Sequence, residues 1–354
     1  MSTISTDVLI VGAGLAGLTL AYELTKRKIE FRIVEALETV GGRIKTLRPK
    51  GPESPIEMGA TWFGPSHINL KDLLEELELD VFEQSHNGKA LFQSRSFVQP
   101  QVFDLPQGQE PAYRVVNGSD SLTQALVSKL DENSFSCGFR VNNIKRKDTD
   151  FSVEKEGSAD SILAKRIVIT TPPQVAARNI TFPQEIDQSL ISLMSQTHTW
   201  MNDCIKFAFI SEGNHWSKMG YSGTFFSQTG PVVEMYDHSN KQQNFFSLKG
   251  FLNGSVADLS KADREQKVRT QLTKVLPFFE NGMFEYVDYN WADNSLVHVE
   301  EASPLYPHQN NGHQKLRTPI MENSVWFGGT ETAKTHPGYM DGAVERAKEL
   351  AELL

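Results

Sequence analysis

At 354 residues the chain has room for about two domains, and 22 % charged residues with 25 Gly and 16 Pro exclude collagen-like and disordered classes. A net charge of −9, with no basic run longer than three residues, argues against nucleic acid and anionic membrane surfaces as partners. Two cysteines, Cys137 and Cys204, rule out a zinc framework and point to no metal, to a fold independent of disulfides and to a cytoplasmic location; with no run of 18 apolar residues and no basic leader, the chain reads as soluble.

Residues 7–11 (DVLIV) form an apolar run suited to a strand buried on both faces of a parallel sheet. A glycine-rich turn follows, then Leu18, Ala21 and Leu24 at helical spacing, with basic residues at 26–28 suited to the helix C-terminus. Residues 31–34 (FRIV) make a second strand, completing a βαβ unit. Residues 56–63 suggest a strand edge beside a tight backbone approach, and 70–79 a helix. The stretch 92–114 shows no clear periodicity, and 119–130 reads as a helix capped by Ser119 or Asp120. Residues 139–147, 151–155 and 161–170 look like three antiparallel strands, the last stopped by Pro172 and Pro173. Further strands are expected at 206–210, 245–251 and 284–289, a helix at 262–276, a strand at 324–327 and a closing amphipathic helix at 342–354.

Gly12, Gly14 and Gly17 stand between strand and helix as G-x-G-x-x-G requires. Gly12 permits the tight turn, Gly14 lets the backbone approach a pyrophosphate, and Gly17 allows close helix–strand packing; Leu15 and Ala16 then open a helix whose free N–H groups favour an anion. Glu35 ends the second strand, where a carboxylate can bond both hydroxyls of an adenosine ribose. The fingerprint by itself leaves NAD and FAD both open. There is no second copy of it, which disfavours a reductase with two dinucleotides.

Four separated segments together resemble the flavin-dependent amine oxidases, the family of monoamine oxidase, polyamine oxidase and L-amino acid oxidase. Besides the glycine turn they are residues 35–43 (EALETVGGR), 57–65 (EMGATWFGP) and the pair 326–333 (WFGGTETA) and 338–343 (GYMDGA). The resemblance implies an α/β fold: a Rossmann-like FAD-binding domain from residues 1–80, 117–195 and 316–354, interleaved with a mixed-sheet substrate domain from 81–116 and 196–315. It implies FAD as cofactor. Ala36, Gly42, Arg43, Gly59, Ala60, Thr61, Trp62, Thr171, Gly329, Thr330, Glu331, Gly338, Tyr339, Met340 and Ala343 join the fingerprint residues as cofactor contacts, and Val141 meets the adenine through its backbone. Gly41, Gly42 and Gly59 suit positions where a side chain would collide with a ligand. Gly328, Gly329 and Thr330 are expected to precede a helix whose N-terminus faces the cofactor, and Arg43 to pair with the pyrophosphate.

By the same resemblance Lys206, on an apolar strand ahead of Trp216, holds a water beside the flavin. Tyr339 walls the substrate site, and Trp291, in Asn290-Trp291, lies near the flavin. A buried lysine on such a strand is costly unless it serves something.

Departures from the family pattern refine the expectation. Residues 292–323 contain no cysteine for covalent attachment, so FAD should be non-covalent. The region Val297-His298-Val299-Glu300 offers no second aromatic for the substrate cage. Thr61-Trp62 stands where amino acid oxidases carry an arginine, so an amine with an apolar or aromatic body is expected, Arg114 being the one conceivable substitute anchor. His336 is a candidate for titration near the flavin. The helical insertion of larger members is reduced to an irregular stretch of about 35 residues, and no membrane-anchoring tail is seen. The expected reaction is oxidation of an amine to an imine, with O2 reoxidising the flavin to give H2O2. A carbon–carbon desaturase on the same fold and a non-enzymatic flavoprotein remain open.

Overall fold

The computed structural model describes residues 4–106, 108, 110–279, 285–300 and 304–354. The first strand, Ile4–Val11, runs parallel to Phe31–Val34 on one side and to Ser161–Ile169 on the other. Its apolar run follows from burial on both faces: Val8 and Ile10 enter one core cluster, Leu9 and Val11 the other. Phe135–Ser136 extends the parallel order beyond Phe31–Val34. Ser161–Ile169 serves two partners along its far edge. Its first half pairs antiparallel with Asp150–Lys155, and its last three residues pair parallel with Val325–Phe327. Val141–Lys147 completes a seven-stranded sheet, a parallel core grading into an antiparallel meander.

The helix Leu15–Arg27 packs its Leu18, Ala21 and Leu24 in one cluster with Val344, Ala347 and Leu350 of the last helix, Met340–Leu353. The expected amphipathic spacing therefore holds at both ends of the chain. The helix expected at 119–130 spans Asp120–Val127, without a side-chain cap at Ser119; Asp120 instead meets the Arg48 guanidinium at 2.5 Å.

A second sheet of seven strands runs in the order Glu285–Asn290, Ile205–Ser211, Phe246–Leu252, Val232–Asp237, Tyr221–Ser227, Lys89–Gln93, Gln101–Asp104. All neighbours are antiparallel except Tyr221–Ser227 with Lys89–Gln93. One face carries Phe207, Phe209 and Met235 under Val268 and Leu272 of the helix Lys261–Val275. The other face turns Ala208 and Ile210 toward Ile56 and Met58, which binds this sheet to the loop leaving the short Thr46–Leu47/Ile56–Glu57 ladder.

Several elements differ from the sequence expectation. The aperiodic stretch 92–114 ends one strand and contains two more, Gln101–Asp104 and Tyr113–Val115; they are short and lie at sheet edges or in a two-stranded ladder, where alternation is not enforced by burial. Tyr221–Ser227 and Val232–Asp237 have no counterpart in the sequence reading. Gly223, at φ +79, breaks the pattern of the first, and a bulge between Val232 and Glu234 that of the second. Residues 56–63 form a strand only at Ile56–Glu57. Pro172 and Pro173 do end the strand, and Pro173 opens a helix, Pro173–Asn179, followed by Gln188–Ser195. Phe284, the first residue of the strand expected at 284–289, lies outside the described residues. No helix of the described residues is long and apolar enough to cross a membrane, and none of their His, Cys, Asp and Glu clusters could hold a metal ion.

Candidate active site

A cavity of about 410 Å³ lies between the two sheets. Its first end is built by Gly12, Gly14, Leu15 and Ala16 at the open N-terminus of the helix Leu15–Arg27, which has no side-chain cap and no acidic residue in its first turn. Glu35, Ala36, Gly42, Arg43 and Val141 line the same end. The Glu35 carboxylate accepts hydrogen bonds from the N–H groups of Ala13 at 2.7 Å and Leu37 at 3.0 Å, which fixes it at the end of its strand. The second end is lined by Gly59, Ala60, Thr61, Trp62, Thr171, Lys206, Trp291, Thr330, Gly338, Tyr339, Met340 and Ala343. Residues far apart in the chain thus meet around one space.

Three expected contacts do not line it. A Cβ on Gly17 would stand 2.0 Å from the Gly12 carbonyl oxygen, so this glycine serves helix–strand contact behind the turn. Gly329 is likewise behind the wall. Glu331 is fully buried, with its carboxylate 2.6 Å from the Arg43 guanidinium in a contact whose angle is not that of a hydrogen bond. Arg43 therefore faces the cavity already countered by a carboxylate. Gly59 also answers a different demand from the one expected: its Cβ would strike the Arg43 carbonyl at 2.2 Å, so the close approach is to the crossing chain. The turn after Gly329 is a single 3-10 turn, Thr330–Thr332, and the helix that fronts the cavity starts at Met340. Thr330 ties the two together, donating its hydroxyl to the Tyr339 carbonyl at 2.6 Å and accepting from the Gly338 N–H at 3.1 Å.

Lys206 is 4 % exposed, and its Nζ donates to the Gly59 carbonyl at 2.5 Å and lies 5.0 Å from the Phe251 ring centroid. Burial pushes its amine below the ordinary lysine range, opposed by Cys204 and Glu57. The Trp291 indole donates to the Met58 carbonyl at 2.6 Å, which holds its ring against the loop 58–62, and the Trp62 indole donates to the Gln84 side chain at 3.0 Å, which fixes the ring of that loop residue.

Sequence reading missed several liners. Trp200, from the turn after Gln188–Ser195, lies 6.2 Å from Tyr339 between ring centroids, and His308 stacks on Trp200 at 4.3 Å. Trp200 thus supplies a second aromatic wall that the region 297–300 lacks, while Val297 lines the cavity as an aliphatic residue. Met201, Cys204, Phe251 and Leu296 line it too. No local motif marks them, because they come from a turn and from the sheet face that meets the loop 59–62. A second buried lysine, Lys249, contacts Thr61 and Trp62 from behind.

Two side chains singled out from the sequence lie elsewhere. Arg114 is buried against His238 (2.8 Å) and the Ser239 carbonyl (2.5 Å), with its guanidinium 4.5 Å from the Phe82 ring centroid, and does not line the cavity. Burial lowers its pKa to about 10. His336 pairs with Asp341 at 2.8 Å and packs on His67 at 4.6 Å, outside the cavity wall.

The residues present fit a dinucleotide. The helix end is uncapped, and the buried Thr171 hydroxyl at the wall has no hydrogen-bond partner. The profile of the family "Flavin containing amine oxidoreductase" matches residues 15–97 and 90–354. A probable flavin-containing monoamine oxidase A of Dictyostelium discoideum is 22 % identical over 98 % of this chain and 96 % of its own. A putative flavin-containing monoamine oxidase, AofH, of Mycobacterium tuberculosis is 23 % identical over 98 % and 97 %. In structure the chain is similar to putrescine oxidase bound to putrescine (TM-score 0.85, 19 % identity, 99 % of both chains). It is equally similar to cyclohexylamine oxidase of Brevibacterium oxydans (TM-score 0.85, 18 % identity, 98 % of both). The chain belongs to the flavin-containing amine oxidoreductases, and is an enzyme of that family with FAD as its cofactor.

Proposed function

We propose that this enzyme oxidises a monoamine with an apolar or aromatic body to its imine at non-covalently held FAD, with dioxygen taking up the electrons and leaving as hydrogen peroxide. The observation that carries the reading is Lys206. It is a buried amine on an apolar strand, hydrogen-bonded to the Gly59 carbonyl and not to a carboxylate, at a wall it shares with Trp62, Phe251, Trp291 and Tyr339. FAD supplies the acceptor for a hydride equivalent from the amine's α-carbon.

The chain's own residues bind, orient and exclude water. The open helix end at Leu15 and Ala16 and the Arg43 guanidinium take the pyrophosphate, Glu35 the ribose hydroxyls and Val141 the adenine. Gly12, Gly14, Gly42 and Gly338 leave room for close approach. Gly59 to Trp62, Thr171, Thr330, Met340 and Ala343 bound the flavin end, and Gly17, Gly329 and Glu331 hold that wall from behind. Trp200 and Tyr339 present ring faces to the substrate. Lys206 holds a water at the wall, and because burial disfavours its charge it repels an arriving amine less than an exposed lysine would. The same reading assigns residues 1–80, 117–195 and 316–354 to the FAD-binding domain and 81–116 and 196–315 to the substrate domain; the strands of the two seven-stranded sheets divide along those ranges. The two unpaired cysteines suit a cytoplasmic location.

Charge along the wall narrows the substrate. Among the described residues Glu35 is the one carboxylate that lines the cavity, and it stands at the dinucleotide end, so a diamine has no partner for its second ammonium beside Tyr339. Arg114 is engaged elsewhere, so an α-carboxylate has no anchor. Burial raises the Cys204 thiol, the one sulfur of a cysteine at the wall, which disfavours its attack on the flavin.

The test is to denature the yellow protein, separate supernatant from pellet, and mix the native protein anaerobically with monoamines, diamines and amino acids. Flavin in the supernatant and bleaching by an apolar or aromatic monoamine are expected. Bleaching by diamines or amino acids alone overturns the substrate class, and flavin retained in the pellet overturns non-covalent binding. Lys206→Met should keep FAD but slow flavin reduction or reoxidation; unchanged half-reactions remove Lys206 from the mechanism.

A further inference from the structure

The reaction as read above leaves Lys249 without a task, although it is fully buried. Lys249 pairs in register with Ala208, and Phe251 with Lys206, across neighbouring strands. With a side-chain period of two, both lysines emerge on the same face of the second sheet, toward the loop 59–62. The Lys249 Nζ donates to the Thr61 hydroxyl oxygen and lies 4.4 Å from the Trp62 ring centroid. The Thr61 hydroxyl donates in turn to the Gly59 carbonyl at 3.0 Å, and that carbonyl accepts from the Lys206 Nζ at 2.5 Å. A continuous chain of hydrogen bonds therefore joins the two amines.

Its directions are fixed by donor supply. A hydroxyl has one hydrogen; Thr61 spends it on Gly59, so Lys249 must be the donor to Thr61. The Gly59 carbonyl has two lone pairs, one for Thr61 and one for Lys206. The hydrogen bond of Lys249 goes to the Thr61 hydroxyl and not to a carboxylate. The charged and titratable groups that act on it are Lys206 from the neighbouring strand, Cys204 just before that strand, Glu57 from the short ladder, and Arg114. A buried amine with no carboxylate in direct contact is costly where an apolar side chain of similar volume would pack, and Glu57 acts on it without a hydrogen bond between the two.

We propose that Lys249 is a positioning residue for amine oxidation: through the Thr61 hydroxyl it fixes the Gly59 carbonyl, and through that carbonyl the Nζ of Lys206. This rests on the reading of Lys206 as a catalytic residue. Without Lys249 the Thr61 hydroxyl is free to rotate, Gly59 loses a donor, and the Lys206 amine loses its fixed place at the wall.

The experiment measures single-turnover anaerobic flavin reduction by a bleaching monoamine in the FAD-loaded enzyme. The variants are Lys249→Met, Thr61→Val, Thr61→Ser, Lys206→Met and Lys206→Met combined with Lys249→Met. Lys249→Met and Thr61→Val should each slow reduction by about 10- to 100-fold, the scale of a misplaced reacting group. Thr61→Ser, which keeps the hydroxyl, should restore the rate to within about 3-fold of wild type, a small fraction of that loss. In the Lys206→Met background, Lys249→Met should cost nothing further, because both act through one chain. A structural role alone would slow both backgrounds equally and overturn the proposal, as would Thr61→Ser being as slow as Thr61→Val. Should Lys249→Met fail to fold, the Thr61 pair decides the question. If Lys206→Met is slow while Lys249→Met and Thr61→Val are silent, only the positioning proposal falls. If Lys206→Met itself is silent, the reading beneath it falls.

Discussion

Replacing Gly17 with alanine tests whether a residue outside the cavity wall controls cofactor binding. The added Cβ would stand 2.0 Å from the Gly12 carbonyl oxygen and 3.0 Å from the Thr170 hydroxyl. The first contact is with backbone, so no side chain can swing away. The helix Leu15–Arg27 would have to retreat from the first strand by about 1 Å, a displacement of the overpacking kind. That retreat is resisted by Leu18, Ala21 and Leu24, each fully buried in the cluster shared with Val344 and Leu350. Overpacking of this kind costs about 1–3 kcal/mol. On the proposed function it also pulls the N–H groups at the helix start away from the pyrophosphate, and about 2.7 kcal/mol corresponds to 100-fold in Kd. The apoprotein titrated with FAD, followed by flavin fluorescence, should bind about 10- to 100-fold more weakly than wild type. Gly254→Ala serves as control, since nothing lies within 4 Å of a Cβ there. Gly17→Ala apoprotein that binds FAD within threefold of wild type and unfolds at the same urea concentration would refute the reasoning.

Arg43→Met should strip the fully buried Glu331 carboxylate of its countercharge and destabilise the apoprotein by about 2–3 kcal/mol in urea unfolding. Adding Glu331→Gln should recover most of that loss; a double variant as unstable as the single one would count against the pair. Burial holds the Lys206 and Lys249 amines below the ordinary lysine range. Between the folded-state values and that range the unfolded chain binds more protons, so stability rises with pH through this window and the destabilisation is complete below it. Lys249→Met should therefore show a flatter rise of urea midpoint with pH than wild type; parallel profiles would contradict this.

The end of the cavity built by the glycine turn was legible because its requirements are local. A strand, a turn without side chains, a helix start and a carboxylate at the next strand end follow one another within residues 7–35, and each is dictated by backbone geometry. The other end of the cavity was legible only in part. Lys206 and Tyr339 stood out because both lie in segments that resemble the family's, Lys206 ahead of Trp216 and Tyr339 in residues 338–343. Trp200 did not, because it comes from a turn whose neighbours carry no periodicity. Lys249 did not either: a lysine in a strand reads as an exposed edge until the register of the second sheet is known.

What the sequence by itself determined, then, is the glycine turn, the helix start and the carboxylate at Glu35, which rest on short-range constraints on φ, sterics and hydrogen-bond donors, and, through the four segments that resemble the flavin-dependent amine oxidases, the family and its cofactor. Tertiary structure alone decided which side chains stand behind the wall. Gly17 and Glu331 support the cavity without lining it, and Arg114 turns to His238 rather than to a substrate. The packing of the second sheet against the loop 59–62 also sets Lys249 and Lys206 on one hydrogen-bonded path. Such placements depend on strand register and on contacts between residues more than a hundred positions apart, and no local pattern in the chain encodes them.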